Sequence, residues 1–352
     1  MFISVLISGI IIGIMLGWVL QRGRVCMNSA FRDMILVQNT EIFRAYLTAL
    51  LIMIIGANIL EDTGVVKTLY RQGFMPVANI MGGYIFGIGI VMASGCASGI
   101  WFKIGEGIVP AWVSVLGFFI GILTTSEGML YRLYLLLTKY QIWLTGSGMK
   151  LLTAKDVEEA WATHANIYPL TLYNMVGVDK WIVIAVLGAA FLLFILRGKF
   201  KKPRTGYAWY ISGVLLGFIG IAAWWASNYY GGKARGMSFT GPTVELFRWV
   251  TQGDDPTWSV FLILGVVIGS YLSSRRIGEF KLKSCGANET IDAFYGGLLM
   301  GFGAVIGGGC NIGHGLTGAS TLAVSSFVTM IFIILGNWSM VYLKFIRPMD
   351  IK

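Results

Sequence analysis

The four cysteines of this chain are the residues best suited to chemistry: Cys26, Cys96, Cys285 and Cys310. No two of them have the C-x-x-C spacing of a redox motif or a zinc ribbon, so neither site is predicted. A thiol is a weak hydrogen-bond donor and acceptor with a polarisable sulfur, which suits a soft sulfur-bearing ligand better than a hard cation. Each cysteine must therefore be judged by the segment that positions it.

Two of the cysteines lie in two copies of one glycine-rich segment. Residues 82–99 (GGYIFGIGIVMASGCASG) align with residues 296–313 (GGLLMGFGAVIGGGCNIG) at a constant offset of 214, with eight identities in 18 positions. Close helix packing explains Gly-x-x-x-Gly spacings, but it does not explain Gly-Cys-x-x-Gly in both copies. The repeat therefore predicts equivalent roles for Cys96 and Cys310 at a substrate site.

The flanking residues favour an anionic substrate. A break in the helix near each cysteine would present unpaired N–H groups and the positive end of a helix dipole. Lys103 and His314 add positive potential or donors, and Glu106 is an ionisable group beside a membrane segment, although pairing with Lys103 accounts for it equally. We expect the substrate path to contain Gly95, Cys96, Ser98, Lys103 and Glu106 from the first copy and Gly309, Cys310, Asn311 and His314 from the second.

The remaining cysteines are assigned from their neighbours. Cys26, in residues 22–33 (RGRVCMNSAFRD), lies where the first apolar segment meets a basic loop, which suits the mouth of an anion path; a small buried hydrophobe is the alternative. Cys285, in a lysine-rich loop, is interpreted as an incidental thiol. Cys310 and His314 have the spacing of two metal ligands on one helical face, but further ligands are not evident, so no metal and no cofactor is predicted.

The composition places these segments in a bilayer. Hydrophobic residues make up 56% of the 352 residues, charged residues only 12%, and the mean hydropathy is +0.73. A soluble core could not bury this much apolar surface. We predict an all-α polytopic protein of a bacterial or archaeal plasma membrane, whose first apolar segment is a retained helix. Nine crossings are expected, at about 2–20, 42–60, 81–102, 108–125, 181–196, 208–229, 257–273, 292–313 and 318–342.

The basic residues predict the topology. With the N-terminus outside, the inside segments carry 16 lysines and arginines and the longer outside segments carry ten. The positive-inside rule therefore favours an outside N-terminus and a cytoplasmic C-terminus. These basic residues are dispersed between apolar segments, so nucleic-acid binding is not predicted. Residues 126–180 are expected to form an outside loop with one or two amphipathic helices.

This topology makes the two glycine-rich copies run in opposite directions. A weaker match pairs Ser8, Gly9 and Gly13 with Ser212, Gly213 and Gly217. Inverted repeats with glycine-interrupted segments at matching positions are typical of transporters with a substrate site near the midplane. We predict a single transport domain over residues 1–352, with half 1 at about 1–125, a loop and connecting helix at 126–207, and half 2 at about 208–345.

Four motifs resemble the YeeE/YedE family of sulfur-compound permeases. They are residues 22–33 (RGRVCMNSAFRD), 94–107 (SGCASGIWFKIGEG), 236–242 (GMSFTGP) and 307–318 (GGGCNIGHGLTG), and the resemblance spans nearly the whole chain. It implies an hourglass-like helical bundle in which thiosulfate passes along three cysteines through S–H···S contacts without covalent change. These match Cys26, Cys96 and Cys310.

The resemblance also implies a partner and leaves alternatives open. A cytoplasmic sulfur carrier of the TusA type would meet the basic face formed by residues 197–204 and 275–283. Relatives are also linked to selenium compounds, the 126–180 loop is longer than expected for the family, and Cys285 has no family role.

Two functions of other classes were weighed against transport. A membrane sulfurtransferase needs an activated thiolate beside fixed positive charge, whereas Cys96 and Cys310 have mainly small apolar neighbours. A thiol–disulfide redox protein is disfavoured because the spacing predicts no pair of cysteines near one membrane face. No nucleotide-binding motif is present, so direct ATP coupling is not expected.

Overall fold

Long apolar helices dominate the architecture. The computed structural model describes residues 2–146, 148–163, 167–200 and 205–350. Within these ranges, eight helices are long and apolar enough to cross a membrane, and Lys180–Leu196 is a shorter apolar helix. The α-helices are α1 (Phe2–Gly23), α2 (Met27–Leu36), α3 (Glu41–Asp62), α4 (Pro76–Met92), α5 (Ala97–Gly105), α6 (Val109–Ser126), α7 (Tyr131–Leu137), α8 (Ala154–Ala162), α9 (Leu172–Val176), α10 (Lys180–Leu196), α11 (Trp209–Tyr229), α12 (Thr240–Gln252), α13 (Trp258–Arg276), α14 (Ala287–Gly307), α15 (Val324–Val341) and α16 (Arg347–Asp350).

These helices confirm the all-α polytopic class, and each predicted crossing overlaps a helix. Three predicted boundaries were wrong. The crossing at 81–102 is two helices, α4 and α5; the crossing at 292–313 ends with α14 at Gly307; and the crossing at 318–342 begins only with α15 at Val324. The apolar pattern runs through the helix breaks because the short segments around the cysteines are themselves buried and apolar.

The helix pairs that pack together follow the internal repeat. Helix α1 packs along α13, and the corresponding pair in the repeat is α11 along α3. In the same way, α6 packs along α14 and α15 packs along α4. Glycines at these contacts bring the backbones close, as is common between membrane helices. A Cβ on Gly13 would lie 2.2 Å from the Leu262 carbonyl oxygen, and one on Gly217 would lie 2.8 Å from Ile52 Cβ.

Helices α4 and α14 cross at the centre of the bundle. A Cβ on Gly82 would lie 2.2 Å from the Gly307 nitrogen, and one on Gly296 would lie 2.2 Å from the Ala93 nitrogen, so the two helices are antiparallel. The window containing α4 and α5 is 78% buried, more than any other candidate span in the described ranges. The two glycine-rich copies therefore form the core of the molecule and run in opposite directions.

Both central helices break just before a cysteine, as predicted. Helix α4 ends at Met92, Ser94 adopts a left-handed backbone (φ 53°), and α5 begins directly after Cys96. Helix α14 ends at Gly307 and Gly308 is left-handed (φ 85°) two residues before Cys310. A π-helix, Gly313–Gly318, follows Cys310. Pi-helical turns are often found at functional sites.

The segment between the two halves contains a sheet that the sequence analysis missed. Instead of a loop with one or two amphipathic helices, residues 127–179, here called the insert, contain α7, α8, α9 and three strands: β1 (Tyr140–Thr145), β2 (Gly148–Thr153) and β3 (Ile167–Pro169). The strands form an antiparallel sheet of order β2-β1-β3. Single bridges from Ile142 to Phe74 and from Thr171 to Ala323 tie the insert to the segments that lead into α4 and α15.

Candidate functional site

Two buried thiols are in direct contact. Cys26 Sγ lies 3.5 Å from Cys96 Sγ, within hydrogen-bond distance for sulfur, although 70 residues separate them in sequence. Each cysteine ends a break and begins a short helix: Cys26 precedes α2 and Cys96 precedes α5, both in extended backbone. The prediction that no two cysteines lie near each other at one face was therefore wrong. Sequence spacing could not reveal the pair, because the packing of two helix breaks creates it.

Gly99 makes room for this pair. A Cβ at this position would lie 2.8 Å from Cys26 Sγ and 3.3 Å from Cys96 Sγ. Any side chain here would displace one of the sulfurs, because real Cβ atoms do not approach so closely. The identity of Gly99 with Gly313 in the repeat was a signal for this role, but the sequence analysis did not include either residue in the site.

The predicted neighbours of Cys96 lie around the same break. Ser98 is buried and its Oγ lies 3.4 Å from Cys96 Sγ. Lys103 is partly exposed and its Nζ donates to the Ser94 carbonyl at 2.5 Å. A Cβ on Gly95 would lie 3.5 Å from the Lys103 ammonium nitrogen. The lysine thus brings its positive charge to the backbone turn directly before Cys96.

Glu106 pairs with Arg24 rather than with Lys103. The Arg24 guanidinium donates to Glu106 and to Glu279, each at 2.5 Å, and the Glu106 side chain is only 5% exposed. Burial raises the pKa of Glu106, while the charge of Arg24 opposes this shift. The pairing with Lys103 considered from sequence is therefore wrong, and Glu106 joins the ion cluster that lies next to Cys26 in the chain.

Cys310 occupies the equivalent position at the second break. It is fully buried, and the Gly313 N–H donates to its Sγ at 3.4 Å. The His314 N–H donates to the Cys310 carbonyl at 2.8 Å, as the Ile100 N–H donates to the Cys96 carbonyl at 2.8 Å. The next residue, Asn311, is fully buried, and neither polar atom of its amide has a partner in the part of the chain that the structure describes.

His314 fastens the second break. Its Nε2 lies 2.9 Å from the Gly307 carbonyl and its Nδ1 lies 3.3 Å from Ser326 Oγ. A Cβ on Gly309 would lie 3.2 Å from the imidazole ring, so this glycine lets the ring reach back across the break. Both ring nitrogens are engaged, and within the described residues no group of three or more His, Cys, Asp or Glu side chains could hold a metal.

A large cavity with positive walls opens beside the insert. It has a volume of about 890 Å³ and is lined by Lys67, Arg71, Lys233 and Arg235, together with aromatic side chains such as Trp143. Arg71 and Arg235 each form an ion pair with a glutamate, so the two lysines supply most of the excess charge. Focused positive potential in a cleft raises the local concentration of anions.

A narrower cavity continues toward Cys310 from this large cavity, which is here called the vestibule. It has a volume of about 80 Å³ and shares Tyr70, Gln72 and Arg235 with the larger cavity. Its inner wall contains Gly309 and His314, the residues on either side of Cys310. The vestibule thus leads to the second break.

The predicted site residues fall into two groups. Around the first break the structure brings together Cys26, Gly95, Cys96, Ser98 and Lys103, with Glu106 in the adjoining ion cluster, and around the second break it brings together Gly309, Cys310, Asn311 and His314. Cys285 belongs to neither group; it is exposed and lines a cavity of about 210 Å³ together with Ser94 and Lys103.

Comparison with known proteins agrees with this geometry. Residues 22–339 match the model of the family described as Sulphur transport. The thiosulfate transporter TsuA of Spirochaeta thermophila is 35% identical over 341 residues, covering 97% of this chain and 99% of the relative. TsuA of Escherichia coli is 32% identical, covering 98% and 96%. A probable transporter of Escherichia coli, YedE, is 35% identical over 109 residues, 31% of this chain and 26% of the relative. These matches confirm the resemblance found in the break motifs, and this chain belongs to the sulphur transport family.

Proposed function

We propose that this protein is a plasma-membrane permease that takes up thiosulfate or a closely related small sulfur-containing anion. The observation that carries the proposal is the pair of buried thiols at 3.5 Å, Cys26 and Cys96, together with the equivalent thiol of Cys310 beyond the crossing of α4 and α14. The two relatives that align over nearly the full chain are both thiosulfate transporters.

The proposed path runs from the vestibule to Cys310, then to Cys96 and Cys26. The cations of the vestibule collect the anion, and the terminal sulfur of thiosulfate then exchanges S–H···S contacts with successive thiols. Soft thiols suit the polarisable sulfur, whereas sulfate has only oxygen atoms to offer. No bond is made or broken, so the protein acts as a permease and not as an enzyme.

The ion cluster at Arg24 lies at the inner end of this path. We propose that the N-terminus is outside and the C-terminus is in the cytoplasm, because 16 of the basic residues then face inward and only ten face outward. The insert and its vestibule are then on the outer side. Arg24, Glu106 and Glu279 stand at the inner exit below the thiol pair.

We further propose that the chain is one transport domain built from two halves, at about 1–125 and 208–345, joined by residues 126–207. The matched pairs of packed helices and the antiparallel α4 and α14 support this division. A sulfur carrier of the TusA type would receive the substrate at the basic face of residues 197–204 and 275–283; residues 201–204 lie outside the described ranges.

A growth experiment tests the proposed transport. A sulfate-uptake-deficient bacterium that expresses the protein should grow on thiosulfate, and Cys96→Ala and Cys310→Ala at matched membrane levels should abolish this growth. Cys285→Ala is the matched control, because this thiol is exposed whereas those of Cys26, Cys96 and Cys310 are buried. Growth that persists in both pathway variants would contradict the thiol mechanism, and no growth with the wild type would contradict the choice of substrate. Competition by selenium analogues then decides between sulfur and selenium species.

A thiol–disulfide redox function is a second candidate, because the sulfurs of Cys26 and Cys96 are only 3.5 Å apart and a small movement would allow a disulfide. It predicts a disulfide between these residues during turnover, and a sulfurtransferase predicts a persulfide on one of them. Mass spectrometry of protein trapped with an alkylating reagent while thiosulfate is being taken up distinguishes both species from the free thiols expected of a permease.

A further inference from the structure

The second half has a counterpart of the loop that carries Cys26. In the first half, Arg24 has a left-handed backbone (φ 51°) and Cys26 follows two residues later; in the second half, Gly236 is left-handed (φ 62°) and Ser238 follows two residues later. Each loop joins the first long helix of its half to a shorter one, α1 to α2 and α11 to α12. Helix α12 begins two residues after Ser238 and α2 one residue after Cys26, a difference within the usual variation of helix ends.

Contacts with the repeat glycines establish the same equivalence independently. A Cβ on Gly99 would touch Cys26 Sγ at 2.8 Å and Cys96 Sγ at 3.3 Å, whereas one on Gly313 would face Ser238 Oγ at 3.5 Å and Cys310 Sγ at 3.8 Å. Gly99 and Gly313 are matched by the offset of 214. Ser238 and Cys310 therefore both border Gly313, as Cys26 and Cys96 both border Gly99.

The Ser238 loop is held firmly while its hydroxyl stays available. Thr317 Oγ1 donates to the Met237 carbonyl at 2.6 Å, and the Gly236 N–H donates to Ser227 Oγ at 3.1 Å. Ser238 lines the narrow cavity that leads from the vestibule to Cys310. Among the described residues its hydroxyl has no hydrogen-bond partner, so it can bind a ligand without giving up a bond within the protein.

The chemical difference between the two pairs suits the two ends of thiosulfate. A hydroxyl is a much better donor than a thiol toward an anionic oxygen, whereas a thiol suits the polarisable terminal sulfur. Resting on the transport function proposed above, we propose that Ser238 and Cys310 form an entry subsite in which the Ser238 hydroxyl binds the sulfonate oxygens of thiosulfate while Cys310 contacts its terminal sulfur. The inner pair, which has two thiols, contacts the terminal sulfur alone.

Initial rates of thiosulfate uptake into proteoliposomes test this subsite. Ser238→Ala should raise KM about tenfold, which corresponds to the loss of about 1.4 kcal/mol of binding. Ser238→Cys, close in shape but a weaker donor to oxygen, should give a KM between those of the wild type and Ser238→Ala, and Ser238→Thr, which keeps the hydroxyl, should restore the affinity. Thr251→Ala is the control, since this residue is exposed and its hydroxyl donates to the Phe247 carbonyl within its own helix.

The outcomes separate this inference from the function on which it rests. Wild-type protein that takes up no thiosulfate overturns the transport function, whereas wild-type uptake with an unchanged KM in Ser238→Ala overturns the subsite alone. A KM for Ser238→Cys below that of the wild type also overturns it, because sulfur contact would then be preferred at this position. Monodispersity of each variant in detergent shows that the rates are those of folded protein, and the Ser238→Thr variant tests the hydroxyl even where Ser238→Ala is poorly folded.

Discussion

At the scale of single residues, both helix breaks depend on glycines, whose lack of a side chain leaves space for neighbouring groups. Gly99 leaves the space in which two sulfurs meet, and Gly309 leaves the space for the His314 ring. Cys96 and Cys310 could be identified as site residues from sequence because their motif is repeated. Arg24 could not be identified from sequence as the partner of Glu106, because 82 residues separate them in the chain.

Gly99→Ala should uncouple the thiol pair. The added methyl group would overlap Cys26 Sγ, so one thiol must move, and overpacking of this kind costs about 1–3 kcal/mol. We expect thiosulfate uptake to fall about tenfold or more while the protein still inserts, measured as initial uptake rates at matched membrane levels. Gly241→Ala is the control, because a Cβ there meets nothing within 4 Å. Equal uptake by the two variants would contradict a role for thiol contact.

Arg24→Gln should make stability fall more steeply with rising pH than it does in the wild type. Glu106 is buried, its pKa is raised by that burial, and Arg24, Gln21 and Lys103 oppose the shift while Glu279 adds to it. Without Arg24 the folded protein holds a carboxylate that prefers to be protonated, so the variant loses stability as pH rises from the ordinary glutamate pKa of about 4.3 through the raised value.

The expected loss relative to wild type is therefore small at the acidic end and about 1 kcal/mol at neutral pH, which is less than the loss of about 3–5 kcal/mol for a fully buried pair because Arg24 is half exposed. Melting temperatures in detergent across this pH range measure it, and Arg24→Gln/Glu106→Gln should remove the pH dependence. A loss that is the same at every pH would show that Glu106 is not the group responsible.

At the scale of elements, the crossing of α4 and α14 determines where both breaks lie. Small residues let these helices approach until their backbones touch, and the end of each helix lies against a glycine of the other: Gly307 against Gly82, and Ala93 against Gly296. The periodicity of glycines predicted the close packing, but the helix ends could not be read from hydropathy, since small and apolar residues continue through the first break into α5. The insert sheet was missed because each strand is short and paired across a turn.

Gly82→Ala and Gly296→Ala should both destabilise the bundle strongly. Each Cβ would lie 2.2 Å from a backbone nitrogen of the facing helix, and backbone atoms cannot move aside as a flexible side chain can. We expect a loss of at least about 1–3 kcal/mol, seen as a lower melting temperature and reduced monodispersity in detergent. Gly286→Ala, just before α14, has open space and should behave as wild type. Normal melting in Gly82→Ala would contradict the tight crossing.

At the scale of the whole molecule, the two breaks face opposite ends of the bundle. The second is reached from the vestibule beside the insert, and the first adjoins the ion cluster of Arg24, Glu106 and Glu279. In the path proposed above, the substrate therefore enters beside the second break and leaves beside the first. The orientation in the membrane decides which end serves for entry.

Cys285 provides a test of that orientation. It is the exposed cysteine of the described chain, and the proposed topology places it in the cytoplasm. A membrane-impermeant maleimide should modify it in inside-out vesicles and not in intact cells. Labelling should be faster at alkaline pH, because a hydrogen bond with Glu289 raises the pKa of this thiol. Lys150→Cys in the insert should react in intact cells instead, and labelling of Cys285 from outside would reverse the topology.

The sequence by itself determined that the chain spans a membrane, that it contains two copies of a cysteine-centred break, and that its family is one of sulfur transporters. These properties depend on composition and on local patterns, which every segment carries with it. Tertiary structure alone decided that Cys26 touches Cys96, that Ser238 and Cys310 both border Gly313, and that Arg24 rather than Lys103 pairs with Glu106. Such contacts join residues from separate helix breaks, and their positions depend on how closely the glycine faces of α4 and α14 let the whole bundle pack.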